Sequence, residues 1–97
     1  MKVVVTPAAL DDLQAIADYI AIDSLERALS YTDELEAAAR ALGDFPKAWP
    51  LLPRYESYGI RRRPYGNYLI FYEIVEDTVF VIHVLNGAQD YEAILFP

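Results

Sequence analysis

The chain has 97 residues, 55% of them hydrophobic, a formal net charge of −7 and no cysteine, so a single domain over residues 1–97 is expected, without disulfides or thiolate metal sites. A sequence pI near 4.4 sets the mean field against nucleic-acid phosphates, and no direct nucleic-acid binding by the chain alone is expected. No charged-then-apolar leader and no apolar run of membrane-spanning length is present, so the chain is expected to be cytoplasmic and to have no membrane partner.

Val3, Val4 and Val5 form a short β-branched run, as in a strand buried on both faces. Thr6-Pro7 then signals a helix start: Thr6 can cap free N–H groups, and Pro7 fits the first helical position, where a missing donor leaves nothing unpaired. Leu10, Leu13, Ile16, Ala17 and Ile20 mark one face of a helix over residues 7–21. Ser24 offers a second N-cap, and Ala28, Tyr31, Leu35, Ala38, Ala39 and Leu42 continue helical spacing to Gly43, a candidate C′ glycine. The stretch from Asp44 to Tyr58 holds Pro46, Pro50 and Pro53 among apolar residues and reads as extended but packed, with Trp49 over the helix ends.

An antiparallel meander follows. A strand over residues 59–65 turns at Gly66-Asn67 and returns over 68–75, with Tyr68, Ile70, Tyr72 and Ile74 on one face. After a turn at Glu76-Asp77, residues 78–85 are almost continuously apolar, as in an interior strand that ends at Asn86-Gly87. The expected fold is α+β, ordered β-α-α-β-β-β, with a helical hairpin packed on one face of a small, mainly antiparallel sheet. Residues Ile94-Leu95-Phe96 either pack on this sheet or reach a partner.

Half of the eight basic residues lie between Arg54 and Arg63, ending in Arg61-Arg62-Arg63. Strand alternation puts Arg61 and Arg63 with Tyr65 on one face and Arg62 with Ile60 on the other. Two guanidiniums beside a tyrosine suit a carboxylate, a phosphate or a stacked side chain. The alternative is a charge-protected edge strand, or pairing with helix carboxylates such as Asp33 and Glu34. Tyr55, Tyr58, Tyr65, Tyr68 and Tyr72 surround these arginines, a composition typical of binding hot spots, although Tyr68 and Tyr72 also fit a core. His83, alone in an apolar strand, reads as a hydrogen-bonded structural residue rather than a base. The acidic residues of the helices, Asp11, Asp12, Asp18, Glu34 and Glu36 among them, carry no metal-liganding motif and read as a solvated face. No metal and no cofactor is expected. Asn86, Gly87, Ala88, Gln89, Asp90 and Tyr91 follow the interior strand, where polar residues at a rigid strand end can form a site.

Three pieces in order resemble the RelE/ParE superfamily of type II toxins, and its ParE-like plasmid-stabilisation branch more closely. They are Thr6-Pro7, Ala9, Asp12-Leu13, Ile16 and Tyr19-Ile20; Gly59-Ile60-Arg61-Arg62 with Gly66-Asn67-Tyr68, Ile70 and Tyr72; and Val81-Ile82, Val84-Leu85-Asn86-Gly87 and Asp90. The resemblance implies a growth-inhibiting toxin neutralised by a cognate antitoxin, with DNA gyrase as the target in ParE-like members. The residues expected to bind target or antitoxin, from the arginine and tyrosine cluster and the polar strand end, are Arg61, Arg62, Arg63, Tyr65, Tyr68, Asn86, Gln89, Asp90 and Tyr91. The antitoxin is expected along the helix pair and over the arginine strand, with carboxylates facing Arg61 or Arg63.

RelE-like members instead cleave messenger RNA on the ribosome, which needs a proton donor and cations around the phosphate. Arg61, Arg63 and Tyr91 are the catalytic candidates for that activity. The sequence departs from the ribonuclease pattern, because no lysine or arginine follows Arg63 and Ala88 and Gln89 stand where basic residues are common. A protein-binding toxin is therefore the favoured reading over a ribosome-dependent endoribonuclease, with an inactive toxin-fold binding module as a third.

Overall fold

In the computed structural model, which describes residues 1–97, the chain runs β1 (Lys2–Val5), α1 (Pro7–Ala21), α2 (Leu25–Arg40), β2 (Ile60–Tyr65), β3 (Tyr68–Val75), β4 (Thr78–Asn86) and α3 (Tyr91–Leu95). Short 3-10 turns lie at Ala41–Gly43 and Glu56–Tyr58. The sheet order is β1-β4-β3-β2, with β1 parallel to β4 and the other pairs antiparallel. This is the α+β arrangement expected from the order of elements, with a third layer added by α3.

Both helix starts follow the expected chemistry. Thr6 Oγ1 accepts from Ala9 N at 3.3 Å and also donates to the Val81 carbonyl at 2.7 Å, so one hydroxyl caps α1 and ties it to β4. Ser24 Oγ accepts from Arg27 N at 3.1 Å at the start of α2. The end of α2 departs from the expectation. Helix α2 stops at Arg40 and Gly43 closes a 3-10 turn without a left-handed φ. Its glycine is required for close approach instead, since a Cβ there would lie 2.4 Å from the Met1 carbonyl oxygen.

The main core lies between the helical hairpin and the sheet, with Leu13, Leu35, Ile70, Tyr72, Val79 and Val81 among its members. Tyr68 and Ile74 pack against it, which confirms the alternation read along β3. On the opposite sheet face Leu52, Ile60, Phe71 and Leu85 form a smaller cluster, covered by Tyr91, Leu95 and Phe96. The tail thus packs on its own sheet, with the Phe96 ring stacked 4.3 Å from that of Tyr55. Residues 50–52 lie alongside β2, through Leu52 N to Ile60 O at 2.8 Å and Arg62 N to Pro50 O at 3.2 Å. They close part of an edge that would otherwise offer unpaired backbone groups.

Strand β4 carries an irregularity that its continuous apolar sequence conceals. Phe71 pairs with His83 but Tyr72 pairs with Val81, which leaves Ile82 as an extra residue, a β-bulge. As a result Val79, Val81 and Val84 all serve the main core, breaking the two-residue period, while Leu85 turns to the opposite cluster.

Candidate functional site

The arginine strand is divided by its pleat, as alternation requires, but its guanidiniums turn inward. Arg61 Nη1 donates to the Trp49 carbonyl at 2.6 Å. Arg63 Nη1 donates to the Ala38 carbonyl at 2.7 Å, and its guanidinium lies 5.3 Å from the Trp49 ring centroid. A cation at the carbonyl end of α2 is favoured by the helix dipole, and its contact with Trp49 adds a cation–π term. Pairing with Asp33 or Glu34, the alternative raised above, does not occur. Asp33 is exposed on the outside of α2, and Glu34 instead pairs with Arg27 at 2.8 Å. Tyr72 completes this inner set. Its hydroxyl donates to the Pro46 carbonyl at 2.7 Å, and burial pushes its pKa above the ordinary value.

Arg62 faces the other way. Its Nη1 donates to Tyr91 Oη at 3.0 Å, over the cluster that contains Phe71. The pairing of these two candidates was not foreseen from the sequence, where Tyr91 had no cation in its own loop. The cation comes from β2 across 29 positions of sequence. Asp90 accepts from Ala93 N at 3.4 Å and so caps α3. Glu92, one residue beyond Tyr91, is held by Arg54 at 2.8 Å and by the Tyr55 hydroxyl at 3.0 Å, a bond that raises the Tyr55 pKa.

The remaining candidates converge at one end of the sheet. Tyr65, Tyr68 and Asn86 are in register across β2, β3 and β4. Gln89 joins them, because its Oε1 accepts from Asn86 N at 2.9 Å, while Asn86 Oδ1 accepts from Ala88 N at 2.9 Å. The loop after β4 is therefore closed on itself by hydrogen bonds. Gly66, at φ 56°, begins the two-residue turn between Tyr65 and Tyr68, a conformation that favours glycine. The Tyr31 hydroxyl fills the space above it, 2.4 Å from where a Cβ would stand. Tyr31 packs between Tyr65 and Tyr68 at centroid distances of 6.1 and 6.0 Å. Burial first, then these two neighbours, push its pKa upward.

Beside this row, a shallow cleft of about 290 Å³ is lined by Asp12, Tyr19, Tyr68, Asn86 and Gln89. Asp12 is a correction to the solvated face read from the sequence. Its Oδ2 lies 2.7 Å from His83 Nδ1 and accepts from Val84 N at 2.9 Å, so it holds the bulge of β4 against α1. Position 12 falls three residues after Ala9 and four before Ile16, both buried, and this spacing was the signal available in the sequence. His83 is accordingly hydrogen-bonded, as expected. Among all residues, no group of three or more His, Cys, Asp or Glu could hold a metal ion, and no helix is long and apolar enough to cross a membrane.

The family model for the ParE toxin of type II toxin–antitoxin systems, parDE, matches residues 3–91. The chain belongs to the ParE toxin family. Among solved structures, this ParE-family chain is similar to a chain of the chromosomal ParDE toxin–antitoxin system from P. aeruginosa, with a TM-score of 0.76 and 19% identity. The match covers 89% of this chain and 95% of that one, and at this identity it bears on the fold. No curated relative matches the chain. In this ParE-family member, the row Tyr65-Tyr68-Asn86 with Gln89 is the part of the predicted surface that the fold assembles. Arg61 and Arg63 are directed into the molecule, and Arg62 with Tyr91 lies on the reverse face.

Proposed function

We propose that this ParE-family chain acts in the cytoplasm as a growth-inhibiting toxin that engages a protein target, DNA gyrase by family resemblance, and is neutralised by a cognate antitoxin. The observation that carries this reading is the disposition of the arginine strand. All three guanidiniums are engaged within the molecule, by the Trp49 and Ala38 carbonyls and by Tyr91 Oη. No basic residue follows Arg63 to gather around a phosphate. What is left at the end of the sheet is a row of tyrosine and carboxamide groups at the strand ends and in the loop after β4, chemistry suited to a protein surface.

Induction of the chain alone in a bacterial host should arrest growth and elicit a DNA-damage response, and purified chain should inhibit gyrase supercoiling. Unimpaired growth at confirmed soluble expression would count against a toxin and favour the inactive binding module. A ribonuclease draws support from one observation, the contact between Arg62 and Tyr91, which joins a cation to a possible proton donor. Primer extension on transcripts after induction separates the two activities, since new cleavage sites would select the enzyme.

A further inference from the structure

Asp12 is only half used by the contacts that fix it. Both fall on Oδ2, from His83 Nδ1 at 2.7 Å and from Val84 N at 2.9 Å. Oδ1 has no hydrogen-bond partner and is open to the cleft that Asp12 lines, and no lysine or arginine pairs with the group. The cleft lies where α1 meets the ends of β3 and β4, and no residue of α2 lines it. Ile16 and Val84 give it apolar lining. Tyr19 and Tyr68 also line a neighbouring depression and so form the ridge between the two. Their hydroxyls are free, unlike those of Tyr55, Tyr72 and Tyr91. Asn86 and Gln89 have committed their side-chain oxygens to backbone N–H groups, which leaves each with an NH2 group to donate.

We infer that this cleft seats an arginine of the protein target, its guanidinium on Asp12 Oδ1 and against the rings of Tyr19 and Tyr68, its main-chain carbonyl accepting from Asn86 and Gln89. The inference rests on the reading of the tyrosine and carboxamide row as a protein-binding surface. Charge selects a cation. Between residues 7 and 40 there are eight carboxylates and only two arginines, so the helical hairpin that carries Asp12 holds −6 of the net −7, a field that attracts a cation and repels a phosphate or carboxylate. One free carboxylate oxygen does not make a metal site, since hard cations take about six oxygens or more. Size selects a side chain: the cleft encloses about 290 Å³, at the low end of the roughly 300–1,000 Å³ of small-molecule sites. Two aromatic rings and apolar lining favour arginine over lysine, because a guanidinium is planar, stacks on rings and is weakly hydrated, while its stem lies on apolar surface. Arg27, in the depression across the tyrosine ridge, does not oppose this, since Glu34 takes up its charge at 2.8 Å.

The probe is N-acetyl-arginine N-methylamide, titrated into the full chain at low salt and followed by NMR shifts. Shifts should gather at Asp12, Tyr19, Tyr68, Asn86 and Gln89 and saturate. The citrulline analogue, neutral and of nearly the same shape, should bind about ten-fold more weakly. Asp12→Asn, which keeps an acceptor for Val84 N, should weaken arginine binding about ten-fold. Tyr19→Ala, at a position 71% exposed, should weaken it about three-fold. Asp77→Asn, the same charge change at the β3–β4 turn, should leave it unchanged. Melting curves confirm folding, and if Asp12→Asn fails to fold, Tyr19→Ala and the citrulline comparison decide. Equal affinity for citrulline, wild-type affinity in Tyr19→Ala, or shifts spread over the other carboxylates of the hairpin would overturn the site. In cells, Asp12→Asn with Tyr19→Ala should relieve growth arrest at equal soluble expression, and undiminished arrest would overturn the use of the cleft by the target. A wild-type chain that arrests growth without preferring arginine loses the site and keeps the toxin reading. One that binds arginine in the cleft without arresting growth keeps the site and loses the toxin reading.

Discussion

Arg63 joins three parts of the molecule at one guanidinium: β2, the carbonyl end of α2 and the Trp49 ring. Its bond to Ala38 is charge-assisted and partly buried, so Arg63→Met should cost about 2–3 kcal/mol in urea denaturation. Arg62→Met, whose bond to a phenol is also charge-assisted but which has no Trp49 contact and no helix end beside it, should cost about 1.5 kcal/mol. Equal losses would mean that Arg63 has no special role in holding the hairpin to the sheet. Tyr72 gives a pH-dependent counterpart. Its pKa is raised by burial from an ordinary value of 10.0, so the folded state holds this proton more tightly than the unfolded chain does. The stabilisation is complete below pH 10 and is lost as pH rises through the raised value. Denaturation across the alkaline range should show wild-type stability falling above pH 10. Tyr72→Phe should start about 1 kcal/mol lower at neutral pH, having lost the bond to Pro46, and decline less steeply.

At the scale of elements, α3 has five residues and no fully buried side chain of its own, yet it is what covers Phe71 and Leu85. A helix this short has little intrinsic stability and depends on docking. Truncation after Asp90 should therefore lower the melting temperature and increase binding of a hydrophobic dye, because the second sheet face becomes exposed. By contrast Arg54→Ala should change stability by less than about 0.5 kcal/mol, since Arg54 is 77% exposed in its pair with Glu92. The elements themselves were legible in the sequence from β1 to β4. Thr6 and Ser24 act at their helix starts through local bonds, and Gly66 forms its turn within two residues. Gly43 was misread because its constraint is not local: the strand that crowds it lies about forty positions earlier in the chain. The bulge at Ile82 was hidden for a related reason, since a run of apolar residues satisfies either sheet face.

For the whole molecule, the fold gathers Tyr65, Tyr68, Asn86 and Gln89 at one end of the sheet and concentrates negative charge on the helical hairpin. If the tyrosine and carboxamide row contacts the toxin's target, Tyr68→Ala with Gln89→Ala should relieve growth arrest at equal soluble expression. The same variant should keep its affinity for the antitoxin within about two-fold if target and antitoxin use different surfaces. Loss of both properties together would place target and antitoxin on one surface.

The sequence by itself determined the order of elements from β1 to β4, the alternation along β2 and β3, and the family, because these depend on periodicity, caps and short motifs that act over a few residues. It also carried the charge imbalance of the hairpin, which can be counted without any coordinates. Only the tertiary structure decided where the arginines point. The choice of Arg61 and Arg63 between solvent, carboxylate and carbonyl depends on Trp49 and Ala38, groups 12 and 25 positions away that folding brings within reach. The same holds for Asp12 and His83, separated by 71 positions and joined at 2.7 Å. A local pattern specifies which face a side chain occupies, and long-range packing specifies its partner.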